Sequence, residues 1–327
     1  MDSLPFPRQQ LGFFPTPLIE LRRLSAHLDG PRLFMKRDDL TGLAMGGNKT
    51  RKLEFLVGAA LAQGCDTLIT GGAAQSNHCR QTAAAAAMCG MACHLVLGGH
   101  APAILTGNLL LDQLFGATIH WSGDFRKGED IPVIAEKLRC IGSKPYVIPY
   151  GGSNPLGATG FVEAVRELDV QLAASGESIT HVVFPSSSGG THAGLLLGTH
   201  LFAPSFHLIG IGIDKGEAGE EPFVEHLVNL TNATAEFLGV DNTFNMTDVI
   251  IRDEYLGEGY GVVGALERNA IRLLAETEGI LVDPVYTGRA LGAQIDMIAH
   301  QEFLPTDTVL FWHTGGTPAL FAAEQVL

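Results

Sequence analysis

Short apolar segments alternate with helical segments along nearly the whole chain, and this alternation restricts the fold more than any other feature. The apolar segments fall at residues 66–70, 91–97, 117–121, 145–149, 181–184, 206–213, 280–282 and 308–312. Several are apolar on consecutive residues. That pattern belongs to strands covered on both faces, and strands separated by helices pair in parallel. Helices are expected after residue 49, through the alanine-rich run after Arg80, and at 104–115, 131–140, 157–174, after 191 to about 201, 263–278 and up to about 300. Residues 32–37 read as a further strand, 18–28 as a short helix behind Pro15 and Pro17, and 249–252 as a strand. Residues 214–248 are more polar and read as helix with loops. The chain is therefore expected to be α/β, with doubly wound, mostly parallel open sheets.

Composition narrows the class. The 327 residues are 46% hydrophobic and only 17% charged, with 40 glycines. Soluble chains average about 25% charged, so this balance points to a compact enzyme with buried sheets and tight loops rather than a disordered chain. A formal charge of −14 argues against nucleic-acid binding. The five cysteines form no CxxC pair. Cys89 and Cys93, four apart with no second ligand pair, read as small buried hydrophobes; the cysteine usage suggests a reducing compartment, and the expected location is cytoplasmic. The opening residues lack the features of a signal peptide, and the alanine run is broken by Gly90 and His94, so no membrane span is expected. The loop at 150–155, Tyr-Gly-Gly-Ser-Asn-Pro, reads as a crossing between lobes. It divides the chain into a small domain of residues 46–154 and a large domain of 1–45 plus 155–327.

Chemistry is concentrated where strands run into helices, the position at which open α/β sheets bind ligands. Gly46-Gly47-Asn48-Lys49 turns tightly into an amphipathic helix with Leu53, Leu56, Val57, Ala60 and Leu61 on one face. Lys49 thus stands at a helix N-terminus, where the dipole disfavours an ammonium and would prepare the amine for Schiff-base chemistry. A capped surface helix with a basic first turn explains the same residues. The loop carrying Ser186, Ser187, Ser188, Gly189, Gly190 and Thr191 follows a strand and opens a helix, which suits a phosphate, although such turns also arise for geometry alone. Gln75, Ser76, Asn77 and His78 open another helix, where they could receive a carboxylate or simply cap it. Tyr286 and Thr287, and Thr314 beside two glycines, lie in two more such loops. A P-loop nucleotide-binding protein is the rival from another class. Gly42 and Gly47 have its spacing, but Asn48 separates Gly47 from Lys49 and displaces the lysine. The twelve histidines show no metal-ligand spacing, so no metal is expected.

Taken in order, these motifs resemble those of the D-cysteine desulfhydrase and 1-aminocyclopropane-1-carboxylate (ACC) deaminase family. The stretches KRDDLTGLAMGGNKTRKLEFL and QSNHCRQTAAAAA carry the resemblance, together with the Ser-Gly-Gly-Thr-His, Asp-Pro-Val-Tyr-Thr-Gly and His-Thr-Gly-Gly loops. The family comprises fold-type II pyridoxal 5'-phosphate (PLP) enzymes related to the tryptophan synthase β subunit. The resemblance implies two open twisted sheets, PLP bound in the large domain, and a homodimer. It implies that Lys49 holds PLP as a Schiff base, that Ser188, Gly189, Gly190 and Thr191 bind its phosphate, that Asn77 meets its 3'-oxygen and that Thr314 approaches its ring nitrogen. Gln75, Ser76 and Asn77 would receive the substrate carboxylate, Tyr260 and Tyr286 would face the substrate, and Ser76 would hold the carboxylate or relay a proton. ACC deaminases carry Glu and Leu where this chain has Thr287 and Thr314. The two threonines match the D-cysteine desulfhydrase side, with Thr287 near the substrate. The family often has a proline soon after the tyrosine loop, where this chain has Val262 and Val263. The implied activity is β-elimination from D-cysteine or a close β-substituted alanine to give pyruvate, ammonia and sulfide. The alternatives are ACC deamination and L-cysteate sulfo-lyase activity. The last needs a cationic pocket that the sequence does not reveal.

Overall fold

The computed structural model describes residues 5–202, 205–214 and 221–323. Two sheets organise them. The larger orders its strands β1-β2-β10-β7-β8-β9, with β1 at Leu18–Glu20, β2 at Arg32–Arg37, β7 at His181–Ser186, β8 at His207–Gly212, β9 at Ile251–Arg252 and β10 at Thr308–His313. Only β1 runs antiparallel. The smaller sheet, β5-β4-β3-β6, is wholly parallel and consists of β3 (Thr67–Gly72), β4 (Ala92–Leu97), β5 (Thr118–Trp121) and β6 (Pro145–Val147).

The consecutive apolar residues divide between the two faces of each sheet. In the large sheet, Leu33, Met35, Val183, Val309 and Phe311 pack on helices α1 (Arg22–Leu28), α9 (Ala265–Glu278) and α10 (Thr287–Ala299). The alternate residues Phe34, Val182, Phe184, Leu310 and Trp312 pack on α6 (Pro155–Ser175) and α7 (Gly190–Phe202). In the small sheet, Leu68, Leu95 and Leu97 meet α2 (Lys49–Ala62), α3 (Asn77–Met88) and α4 (Gly107–Leu114), while Ile69 and Val96 meet α5 (Ile131–Cys140).

Three expectations change. The segment 18–28 is not one helix: Leu18–Glu20 pairs with β2, and α1 begins only after Leu21. Residues 280–282 form no strand. Ile280 and Val282 are buried in the core, but β10 already has β2 and β7 as neighbours, so this apolar run packs without a ladder partner. Within 214–248 the described helix is α8 (Phe223–Phe237), and the part of that expectation at 215–220 lies outside the described residues.

Helix α2 is shared by the two sheets. Its apolar face lies in the small-sheet core, yet it also crosses α6 at close range: a Cβ on Gly160 would lie 2.3 Å from the Arg51 carbonyl oxygen. Beside this crossing is a buried polar cluster. Arg51 binds Asp38, Glu167 and Thr16; Lys36 binds Glu167, Gln171 and the Thr16 carbonyl; the Trp312 indole donates to Asp38. Burial raises the Glu167 pKa, but hydrogen bonds and charge from Arg51 and Lys36 outweigh it and hold the carboxyl at about 2. Its stabilising effect is complete above the ordinary carboxylate pKa and is lost as pH falls through about 2. Replacing Glu167 by Ala leaves the fully buried Lys36 and nearly buried Arg51 undercompensated. The expected loss is about 3–5 kcal/mol, read as a lower urea midpoint at unchanged slope.

Candidate active site

A cavity opens between the sheets at the carboxyl ends of β3, β6, β7 and β10. Its lining includes Lys49, Ser76, Asn77, His78, Tyr150, Ser187, Ser188, Gly189, Thr191, His192, Tyr286 and Thr314. Among the described residues none of the lining side chains is acidic.

The turn before α2 delivers Lys49. Gly46 has φ +74° and Gly47 φ +132°, conformations that L side chains rarely adopt, and a Cβ on Gly46 would stand 1.8 Å from the Asp39 carbonyl oxygen. The Asn48 amide donates to the Thr314 carbonyl at 2.9 Å, tying this turn to the end of β10. Lys49 is then the first residue of α2. Its pKa is lowered to about 8, chiefly by burial, against a partial counter-effect of a hydrogen bond with Lys52. Loss of hydration thus acts on Lys49 in the same sense as its place at the N-terminus of α2.

Lys52 lies one turn further along the same face. Its ammonium donates to the Gly151 carbonyl at 3.1 Å and reaches Ser153 Oγ at 3.4 Å. Burial and the Lys49 charge push its pKa well below the usual lysine value. Ser153 Oγ donates to Ser188 Oγ at 2.9 Å and accepts from the Gly190 amide at 3.0 Å. A Cβ on Gly190 would come within 2.9 Å of Lys52 Nζ, and Gly189 takes φ +87°. The result is a small cup at the positive end of α7, bordered by a cation and hydroxyls, which suits a phosphate. Lys52 and Ser153 were not singled out in the sequence. The signal for Lys52 is its three-residue spacing from Lys49; Ser153 sits in the loop read only as a lobe crossing.

At the start of α3, Ser76 caps the helix by accepting from the Cys79 amide at 3.2 Å. The Asn77 carboxamide oxygen accepts from Arg80 and Asn108, both at 3.0 Å, which leaves its amide nitrogen as donor for the cavity. His78 Nε2 meets Thr70 Oγ1, and burial plus the two lysine charges hold its pKa well below the usual value, so the ring is neutral. His192 is likewise neutral, its pKa lowered by burial to about 3, with Nδ1 on Ser186.

Four residues singled out from the sequence sit apart from the lining: Gly190, whose amide donates to Ser153, and Gln75, Thr287 and Tyr260. The Gln75 side chain turns to α4, donating to the Thr106 carbonyl and accepting from the Asn108 amide. Thr287 is wholly buried; its hydroxyl donates to Asp283 at 2.6 Å and lies 3.3 Å from the Gly315 carbonyl. Tyr260 reaches the cavity through Tyr286, with the two phenol oxygens 2.5 Å apart. Burial raises both phenols far above their ordinary pKa, so both are protonated at neutral pH.

Comparison with known proteins shows the family. A family model described as "Pyridoxal-phosphate dependent enzyme" matches residues 9–315. The chain belongs to this family. It is 45% identical over 323 residues to the D-cysteine desulfhydrase of Klebsiella pneumoniae (strain 342), covering 97% of this chain and 96% of that one. The same identity and coverage hold for the D-cysteine desulfhydrase of Salmonella choleraesuis (strain SC-B67). A crystal structure of an ACC deaminase homologue superposes with a TM-score of 0.87 at 38% identity, covering 97% of this chain and 94% of that one. The architecture is fold-type II, and the enzyme is PLP-dependent. The cavity fits that cofactor: it offers a buried amine of lowered pKa, a cup that any Cβ on Gly190 would fill, and an oriented amide donor at Asn77.

Two outcomes follow. The reactive form of Lys49 is the neutral amine, so apoenzyme uptake of PLP, followed by absorbance, should speed up as pH rises through about 8 and level off above it. Lys52→Gln should raise the dissociation constant for PLP by roughly 10- to 100-fold through loss of a charge-assisted contact, read by equilibrium dialysis.

Proposed function

We propose that the enzyme is a carbon–sulfur lyase that eliminates sulfide from D-cysteine or a close β-substituted alanine, giving pyruvate and ammonia. The observation that carries this reading is a neutral-prone amine at Lys49 and a protonated phenol at Tyr286 in one cavity, with the Tyr260 phenol 2.5 Å behind that of Tyr286. The 45% identity to D-cysteine desulfhydrases over nearly the whole chain supports the substrate class.

In this reading Lys49 would carry PLP, Lys52, Ser188, Gly189, Gly190 and Thr191 would hold its phosphate, the Asn77 amide would meet its 3'-oxygen, and Thr314 would approach its ring nitrogen. PLP supplies the electron sink that makes the substrate α-hydrogen acidic. Ser76 and the exposed amides at the start of α3 bind the substrate carboxylate. Gln75 acts one step back, by bracing the turn against α4. With its amine free, Lys49 would take the α-proton as general base. Tyr286 donates its proton to the departing sulfur, and Tyr260 keeps that phenol oriented through the 2.5 Å contact. Thr287 contributes by fixing Asp283 and the turn that presents Tyr286. The substrate is a small amino acid. The small domain comprises 46–154 and the large domain 1–45 with 155–327. A homodimer would cover the exposed Phe13, Leu40 and Met45. The five free thiols favour the cytoplasm.

Purified enzyme should release sulfide and pyruvate from D-cysteine faster than 2-oxobutyrate from ACC or sulfite from L-cysteate. Faster turnover of either alternative overturns the assignment. Lys49→Ala should abolish sulfide release, and Tyr286→Phe should lower kcat by about 100-fold.

A further inference from the structure

We propose that Arg126, from the small-sheet side of the cleft, is a positioning residue that clasps the Tyr260 loop over the active site through its ring and through Asp214. The proposal rests on the lyase reading above for what Tyr260 does.

Tyr260 sits between Gly259 at φ +137° and Gly261 at φ +76°, so its loop has little conformational preference of its own. Two arginines supply the order. From the large-sheet side, buried Arg289 pairs with Glu267 and donates to the carbonyls of Gly259, Val262 and Ile213. It thereby pins the backbone on either side of Tyr260 to the end of β8, but it holds only main chain. From the opposite side, the Arg126 guanidinium lies 5.2 Å from the Tyr260 ring centroid, within the range of a cation–π contact.

Arg126 is itself held in place. It follows β5, and Gly98 makes room for it: a Cβ there would stand 2.6 Å from Arg126 Cβ. Its Nη1 donates to Asp214 at 2.7 Å, with the side chains 25% and 18% exposed. Asp214 follows β8 in the large sheet, so the pair bridges the lobes at the edge of the cavity. The two charges also act on the Tyr150 phenol, a lining group, in opposite senses, which places the pair against the tyrosine cluster. The clasp thus sets the ring that holds the Tyr286 phenol 2.5 Å away. Arg126 is not among the residues that line the cavity.

The test uses holoenzyme, with D-cysteine turnover and, without substrate, amide hydrogen exchange over 259–262. Arg126→Gln should speed exchange in that loop and lower kcat and kcat/KM together by roughly tenfold, with KM little changed. Arg126→Lys should recover part of both effects. In a Tyr260→Phe background, Arg126→Gln should cost little more, because the two act in series. Unchanged exchange and kcat in Arg126→Gln, or full additivity with Tyr260→Phe, overturns the clasp. Wild-type enzyme that releases no sulfide from D-cysteine overturns the lyase reading instead, and the exchange comparison still decides the clasp.

Discussion

The crossing of α2 over α6 is the constraint on which the site depends. The helix that begins with Lys49 has its apolar face in one sheet's core and its charged face in the other's. A glycine at 160 lets the two backbones touch, and the Arg51–Asp38–Glu167–Lys36 cluster fixes the angle and register. Buried ions cost several kcal/mol each to dehydrate, so this cluster is tolerable only in its complete form. The same crossing repeats one layer on, where a Cβ on Gly194 of α7 would lie 2.3 Å from the Ala158 carbonyl oxygen. Thus α2, α6 and α7 stack closely, and the amine at the start of α2 and the anion cup at the start of α7 face one cavity.

That cavity works by dehydration more than by direct charge pairing. Lys49 shares it with two neutral imidazoles and the protonated Tyr286, Lys52 stands behind the cup, and none of the described lining side chains is acidic. Burial therefore favours neutral amines and phenols, the forms needed to accept and donate protons. An anion in the cup would reverse the balance at Lys52 alone, by compensating its charge.

Much of the site was legible in local sequence because strand–turn–helix junctions carry their own signals. The Gly-Gly turn before Lys49, the Ser-Gly-Gly-Thr loop and the Ser76 cap each form as read. The misreadings share a cause. Residues 280–282 are apolar enough for a strand, but whether a ladder partner remains is decided by the order of distant strands. Gln75 is two residues from Asn77, yet its amide turns away because α4 arrives beside it. Thr287 follows Tyr286, but Asp283 claims its hydroxyl. Lys52 looked like one more basic residue in a helical turn until the lobe-crossing loop folded against it.

The sequence by itself determined the α/β class, the parallel strands and the placement of Lys49 at a helix start behind a glycine turn, because periodicity and turn chemistry act over a few residues. Tertiary structure alone decided which of the polar loops converge, why the Lys49 amine loses its proton so readily and what holds the Gly-Tyr-Gly loop. These depend on dehydration and on contacts between segments as far apart as Arg126 and Tyr260 or Lys52 and Ser153. Such terms arise only when the chain is packed, since burial and the partners of a charge are properties of the folded interior rather than of any one stretch.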